Sequence, residues 1–205
     1  MKKFELTAES KINIFGKKLF RIKALISFGD VEEGETGGWI EKEENLEQSS
    51  GNTWVYGDAE VYGNARVYGD AEVYGNARVY GNAEVYGNAR VYGDAWVYGD
   101  AEVYGDAEVY GNARVYGNAW VSDNARVSGN ADYTTIHGFG TQFRTTTFFQ
   151  CEDKQIRVSC GCFLGTIPEF REQVKNTREG KIAEEYLMIA DLMEKHFVKE
   201  KESGE

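Results

Sequence analysis

Two histidines and three cysteines are the side chains of this 205-residue chain best suited to general-base, nucleophilic or soft-metal chemistry. His137 stands in "TTIHGFG" and His196 close to the end; Cys151, Cys160 and Cys162 fall within one short stretch. Together with a histidine these thiols have the ligand types of a zinc site, but their spacing is wrong for paired knuckles, and buried small thiols are the better reading. Three cysteines cannot all pair within one chain, and confinement to one region fits reduced thiols. His137 reads as a turn residue and His196 as a cation near a helix C-terminus, where positive charge is favoured. No Gly-rich phosphate loop precedes a helix, and no nucleophile–base pair is recognisable. The Asp and Asn residues also lack the G-G-x-G-x-D spacing of calcium-binding rolls. The expectation is a chain with no catalytic residue, no metal and no cofactor.

Acidic residues outnumber basic ones 34 to 23, a formal charge of −11. That balance argues against general binding to a nucleic-acid backbone, which needs clustered Lys and Arg, and favours solubility or a basic partner. "MKKFELTAESKINIF" begins with a basic pair but carries no apolar run long enough for a signal peptide. No stretch approaches the roughly 20 apolar residues of a membrane span. The expected location is the cytoplasm. One proline against 24 glycines, the glycines being periodic, marks regular turns and not a floppy linker.

The chain falls into three regions. Residues 1–50 form a non-repetitive N-terminal β cap with "LFRIKALISF" as a strand; residues 51–132 are repetitive; residues 133–205 form an α+β module. In that last region "TQFRTTTFF" and "QIRVSC" flank "CEDK" as a hairpin. Thr166 then caps a short helix with Glu169 three residues on. A second helix from about Lys181 places Ile182, Tyr186, Ile189, Met193 and Phe197 on one stripe. The final "KEKESGE" is expected to fray.

From Val55 to Asp132 the chain is thirteen consecutive hexads, preceded by a degenerate one, "SSGNTW". Val holds position one, Tyr or Ser position two, Gly position three, Asn or Asp position four, Ala position five, and position six varies. Such a unit has room for one short strand and one turn. Along Ala–x–Val–Tyr, strand alternation sends Ala and Val to one side and the variable residue and Tyr to the other. Gly–Asn and Gly–Asp supply the corner, with Asn64, Asn82, Asp100 and Asn118 as examples. Three corners close a triangle around a column of Val and Ala.

These hexads resemble those of the hexapeptide-repeat, left-handed parallel β-helix proteins, with an aliphatic residue first and a small residue fifth. The resemblance implies a mainly β, triangular solenoid with three hexads per coil and a left-handed turn. Tyr at position two departs from that family's usual small or acidic residue. "FGDVEEGETGGWIEKEENL" and "VSCGCFLGTIPEF" further resemble segments of uncharacterised bacterial and prophage proteins. Enzymes resembling this fold are mostly acyltransferases with a histidine base, often on a loop thrown out of the helix; these thirteen hexads contain neither loop nor histidine.

With three hexads per coil, residues one coil apart stack at the strand spacing of about 4.8 Å. Position six then reads Trp54, Glu72, Arg90, Glu108, Arg126 on a first face. It reads Glu60, Arg78, Trp96, Arg114, Asp132 on a second, and Arg66, Glu84, Glu102, Trp120 on a third. Only Glu84 over Glu102 places like charges in contact. The tyrosines stack likewise, either simply stiffening the sheets or presenting a binding or self-association surface. The favoured surface is the second face, where Tyr62, Tyr80, Tyr98 and Tyr116 lie beside Arg78, Trp96 and Arg114.

The function expected from this pattern is a non-enzymatic scaffold that binds a protein partner, as a phage accessory protein acting on a host macromolecule, for example by inhibiting a defence protein. Two alternatives stand beside it: a trimeric acyl-CoA-dependent acyltransferase with His137 as base, and a self-assembling structural protein or homo-oligomer. The C-terminal module is expected to cap the open end of the coil. Deleting one whole coil, Val73 to Arg90, should leave a cooperatively melting protein because every column keeps its face. Deleting a single hexad rotates all later columns, and circular dichroism with thermal melting should separate the two variants.

Overall fold

The computed structural model describes residues 2–197, which divide at Asn130 into two compact units. In the first unit every hexad forms a two-residue strand from positions six and one, beginning with Trp54–Val55 and ending with Arg126–Val127. Each strand pairs in parallel with the strand three hexads on: Trp96 faces Arg78 on one side and Arg114 on the other. Three sheets result, so three hexads do make one coil. Val55 through Val127 and Ala59 through Ala125 point inward and are fully or almost fully buried, as alternation requires. The chain is a β-solenoid. Pairing and register define its three faces but not the hand of the coil, which rests on the family resemblance.

Three of the six backbone N–H groups in a typical inner hexad donate to the next coil. Arg78 N–H donates to Ala95 O at 2.9 Å, Tyr80 N–H to Val97 O at 3.0 Å, and Asn82 N–H to Gly99 O at 2.8 Å. The corner bond needs the preceding glycine in the left-handed region, and the hexad glycines from Gly57 to Gly117 sit between φ +59° and +77°. A Cβ on Gly81 would also come within 2.9 Å of Gly99 N. Asp123 occupies this position once, at φ +61°, where the hexads end before a full coil further on.

The solenoid starts earlier than its hexads. Strands β1 (Phe4–Ile12) and β2 (Lys18–Ala24) form an antiparallel hairpin, and β3 (Thr36–Ile40) joins β2 to the second face by pairing in parallel with Glu60–Val61. Leu46 bridges to Val67 on the third face. Trp39 pairs with Glu60 and Leu46 with Val67, each three positions further on than a full coil, whereas Trp54 pairs with Glu72 at the regular spacing. Three extra residues therefore lie in the corner between Leu46 and Trp54. The lead-in supplies most of a coil. It also buries the start of the first face: Phe4 and Phe28 pack edge-on against Trp54, whose exposure is zero. Beside them Lys3 Nζ donates to Thr53 O at 3.2 Å, and burial lowers its pKa to about 8.

The second unit is a four-stranded antiparallel sheet in the order Tyr133–Phe139, Arg144–Gln150, Ile156–Cys160, Phe163–Thr166, followed by helices α1 (Ile167–Thr177) and α2 (Gly180–Phe197). The hairpin around "CEDK" and the capping box are present: Glu169 N–H donates to Thr166 Oγ1, and Thr166 N–H donates to Glu169 Oε2 at 2.7 Å. The stripe on α2 packs with Phe148, Val158, Phe170 and Val174 into one core. The first and last strands of this sheet carry no clear mark in the sequence pattern. His137 is accordingly not a turn residue: it lies exposed on the outer strand Tyr133–Phe139, where pairing shifts register between Ile136 and Phe139. Asp132 does not extend the second-face column either. The sheet there ends with Arg114–Val115, and Asp132 O accepts from Gln150 N–H within the second unit.

No helix among the described residues is long and apolar enough to cross a membrane. The segment "KEKESGE", expected to fray, lies outside the described residues. Gly81→Ala and Gly117→Ala separate the two demands made on corner glycines, because nothing lies within 4 Å of a Cβ added at Gly117. Gly117→Ala should cost only the positive-φ strain, about 1 to 2 kcal/mol, and Gly81→Ala roughly 1 to 3 kcal/mol more, read by urea denaturation.

Candidate functional site

Because positions five and one point inward, positions six and two form the whole outer surface of each face, and vertical register decides which side chains meet. On the second face the rings of Tyr62, Tyr80, Tyr98 and Tyr116 are stacked nearly parallel, with centroids 5.0, 5.0 and 5.3 Å apart. Trp96 lies between two guanidinium groups, Arg78 Cζ at 5.1 Å and Arg114 Cζ at 4.9 Å from its ring centroid. Each such contact contributes about 0.5 to 1 kcal/mol at a partly exposed site. With Asp58, Glu60, Asp94 and Lys11 these residues line an open groove of about 520 Å³.

The lead-in reshapes this face. Phe15, at the tip of the β1–β2 hairpin, packs against Tyr62, Tyr80 and Trp96 with centroids 6.2, 5.6 and 6.1 Å away. Lys11 Nζ lies 2.8 Å from Glu60 Oε1. Tyr62 joins Leu19 and Trp39 in a small core and is only 4% exposed. It is therefore not part of an accessible surface, although its ring starts the stack. The accessible face begins at Tyr80 and becomes more open upward, to Tyr116 at 52% exposure. Ile12, Ile14 and Phe15 expose apolar surface on the same hairpin. Sequence reasoning missed this contribution because "KINIF" belongs to no repeat, though its apolar residues between polar neighbours were a signal.

Charges alternate on the other faces as the columns imply. Arg90 lies 3.4 Å from Glu72 and 4.0 Å from Glu108; Arg126 lies 3.5 Å from Glu108, and Arg66 lies 3.7 Å from Glu84. The stacked pair Glu84 and Glu102 is relieved by a diagonal pattern absent from the column reading. Tyr68 Oη donates to Glu84 at 2.8 Å and Tyr86 Oη to Glu102 at 2.9 Å, each to position six of the next coil. Tyr92 does the same to Glu108 at 3.0 Å.

A second code runs along the corners. Asn64 Nδ2 donates to Asn82 Oδ1 at 3.1 Å, and Asn82 Nδ2 to Asp100 Oδ1 at 2.9 Å, with Asn118 next in the same column. Asn52, Asn76 and Asn88 likewise donate to Asp70, Asp94 and Asp106. Within the hexads no aspartate at position four stacks on another, which spares the corners a line of repelling carboxylates. This code was readable from the sequence at the period of one coil.

The remaining candidates do not assemble. Among the described residues no group of three or more His, Cys, Asp or Glu side chains is placed to hold a metal. His137 Nδ1 lies 3.4 Å from Thr145 Oγ1. Only Cys151 is buried; Cys160 is half-buried and Cys162 is exposed, because the turn after Cys160 carries Cys162 to the surface. The expectation of buried thiols thus holds for one of the three.

Four segments of the solenoid, residues 59–72, 71–85, 83–99 and 107–123, match the family model described as the YdcK Beta solenoid repeat. The matched segments lie within the hexads and agree with the β-solenoid observed. No curated protein matches the chain.

The tyrosine ladders carry a pH dependence. Burial first, and the bonds to Glu72 and Glu108 with it, pushes Tyr56 and Tyr92 up to about 12; Tyr68 and Tyr86 are raised further for the same reasons. An unfolded tyrosine ionises near pH 10, so above that pH the folded chain holds more protons than the unfolded one. The stabilisation is complete below about pH 10 and should be lost as pH rises through about 12. Melting temperature should fall across that window, and Tyr68→Phe plus Tyr86→Phe should make the fall shallower while costing about 1 kcal/mol each at neutral pH.

Proposed function

We propose that the chain is a non-enzymatic binding scaffold that recognises a protein partner through the open part of the second face, from Tyr80 to Tyr116. The observation that carries this reading is Trp96 held between Arg78 and Arg114 beside three stacked tyrosines. Tyr, Trp and Arg dominate interface energetics, and side chains already locked in a ladder lose little freedom on binding. The exposed carboxylates of Asp58 and Asp94 in the adjoining groove supply acceptors for a basic group of the partner. Resemblance of the lead-in and tail to prophage-borne segments extends the proposal to a phage accessory protein acting in the host cytoplasm, with inhibition of a defence protein as the special case.

Affinity capture from host cells with the wild-type chain should retain a partner. Trp96→Ala plus Tyr98→Ala should lose it, while Trp120→Ala on the third face keeps it, each variant still unfolding cooperatively well above the capture temperature. Equal retention by all three removes the second face from the proposal. A thermal shift with acetyl-CoA, together with turnover abolished by His137→Ala, would instead favour the acyltransferase reading. Concentration-dependent light scattering would favour self-assembly.

A further inference from the structure

The second unit contains a cavity of about 830 Å³ that the binding face does not use. One wall is apolar: Phe163, Phe170, Val174, Ile182 and Tyr186, with Phe163 and Tyr186 packed against Phe170 at centroid distances of 5.5 and 5.8 Å. The rest of the lining is polar, and its charged members are Arg144, Lys175 and Arg178 against the single carboxylate of Glu179. The charged residues lining this surface sum to a positive charge in a chain whose net charge is −11. Neither Arg144 nor Lys175 forms an ion pair with any described residue, and Arg178 Nη1 donates only to the carbonyl of Thr177. The guanidinium of Arg144 passes over Gly161, whose missing Cβ leaves room for Nη1. Exposed cationic groups with no ion pair among the described residues, beside an aromatic wall, match a molecule with an anionic head and an apolar body.

We propose that this cavity binds a small anionic amphiphile, its carboxylate or phosphate head on Arg144 and Arg178 and its apolar part against Phe163, Phe170 and Ile182. Tyr186 fixes the depth of the site, since its hydroxyl donates to Phe139 O at 3.3 Å and cannot swing away without losing that bond. The proposal is independent of the partner face on the solenoid.

The test uses the full chain and the fluorescent anion anilinonaphthalene sulfonate. Saturable binding is expected, displaced by dodecanoate or dodecyl phosphate but not by dodecanol; which of the two anions competes better distinguishes the head group. Arg144→Gln plus Arg178→Gln should weaken probe binding about tenfold or more with unchanged melting. Lys23→Gln, on the N-terminal hairpin, should leave it unaltered. Should the double variant fail to fold, the wild-type chain still decides: Cys162 lines the cavity, and its alkylation should slow when dodecanoate saturates the site. Displacement by dodecanol as effective as by dodecanoate, unaltered affinity in a folded double variant, or an unprotected Cys162 would overturn the proposal.

Discussion

The hydrogen bond from each corner N–H to the corner glycine carbonyl of the next coil is the contact from which the rest of the solenoid follows. It forms only if every coil has the same length, if the corner backbone enters the left-handed region, and if nothing projects between successive corners. Glycine at position three meets the last two demands together, with the next coil's backbone about 3 Å from where a Cβ would stand. The first demand is met by the unbroken hexad. Where the lead-in breaks it with three extra residues, regular pairing resumes only at Trp54.

Once coil length is constant, every outward position becomes a column, and each substitution is read against the residues one coil before and one coil after it. This is why a chain of such low variety carries so much detail. The arginines and glutamates of position six, the alternation of Asn and Asp at the corners, and the Tyr–Glu diagonals each remove a repulsion that a uniform repeat would multiply along the stack. Trp96 has the same origin: the one uncharged residue in its column lands between two guanidinium groups because arginines occupy the same position in the coils on both sides.

The two proposed sites have different physical foundations. On the solenoid, recognition groups are partly exposed and held by the side chains one coil before and after them, so the surface is regular and extended, suited to a macromolecule. In the second unit a sheet and two helices bound an open cavity lined by cations that have no ion pair among the described residues, the setting proposed for a small molecule. The net acidity of the chain makes the positive lining of that cavity a local feature that composition conceals.

Local periodicity was sufficient for the coil, its three faces, the buried Val and Ala, the charge columns, the stacked tyrosines, the hairpin around "CEDK" and the Thr166 cap. The solenoid features depend on residues at a constant sequence separation, since each hexad must do what its neighbours do, and the hairpin and cap depend on residues adjacent in sequence. Other features depend on contacts between segments that share no period. Phe15 over Tyr80 and Trp96, the burial of Tyr62 and Trp54, and the joining of β3 to the second face required the hairpin to fold back onto the repeats. The bringing of Arg144 and Arg178 to one cavity required a sheet and a helix pair to meet. The sequence by itself determined the repeating shape, because translation along the coil makes every local choice a global one. Only the tertiary structure decided which part of that surface stays open and where a cavity forms, because non-repeating segments are positioned by packing and not by spacing.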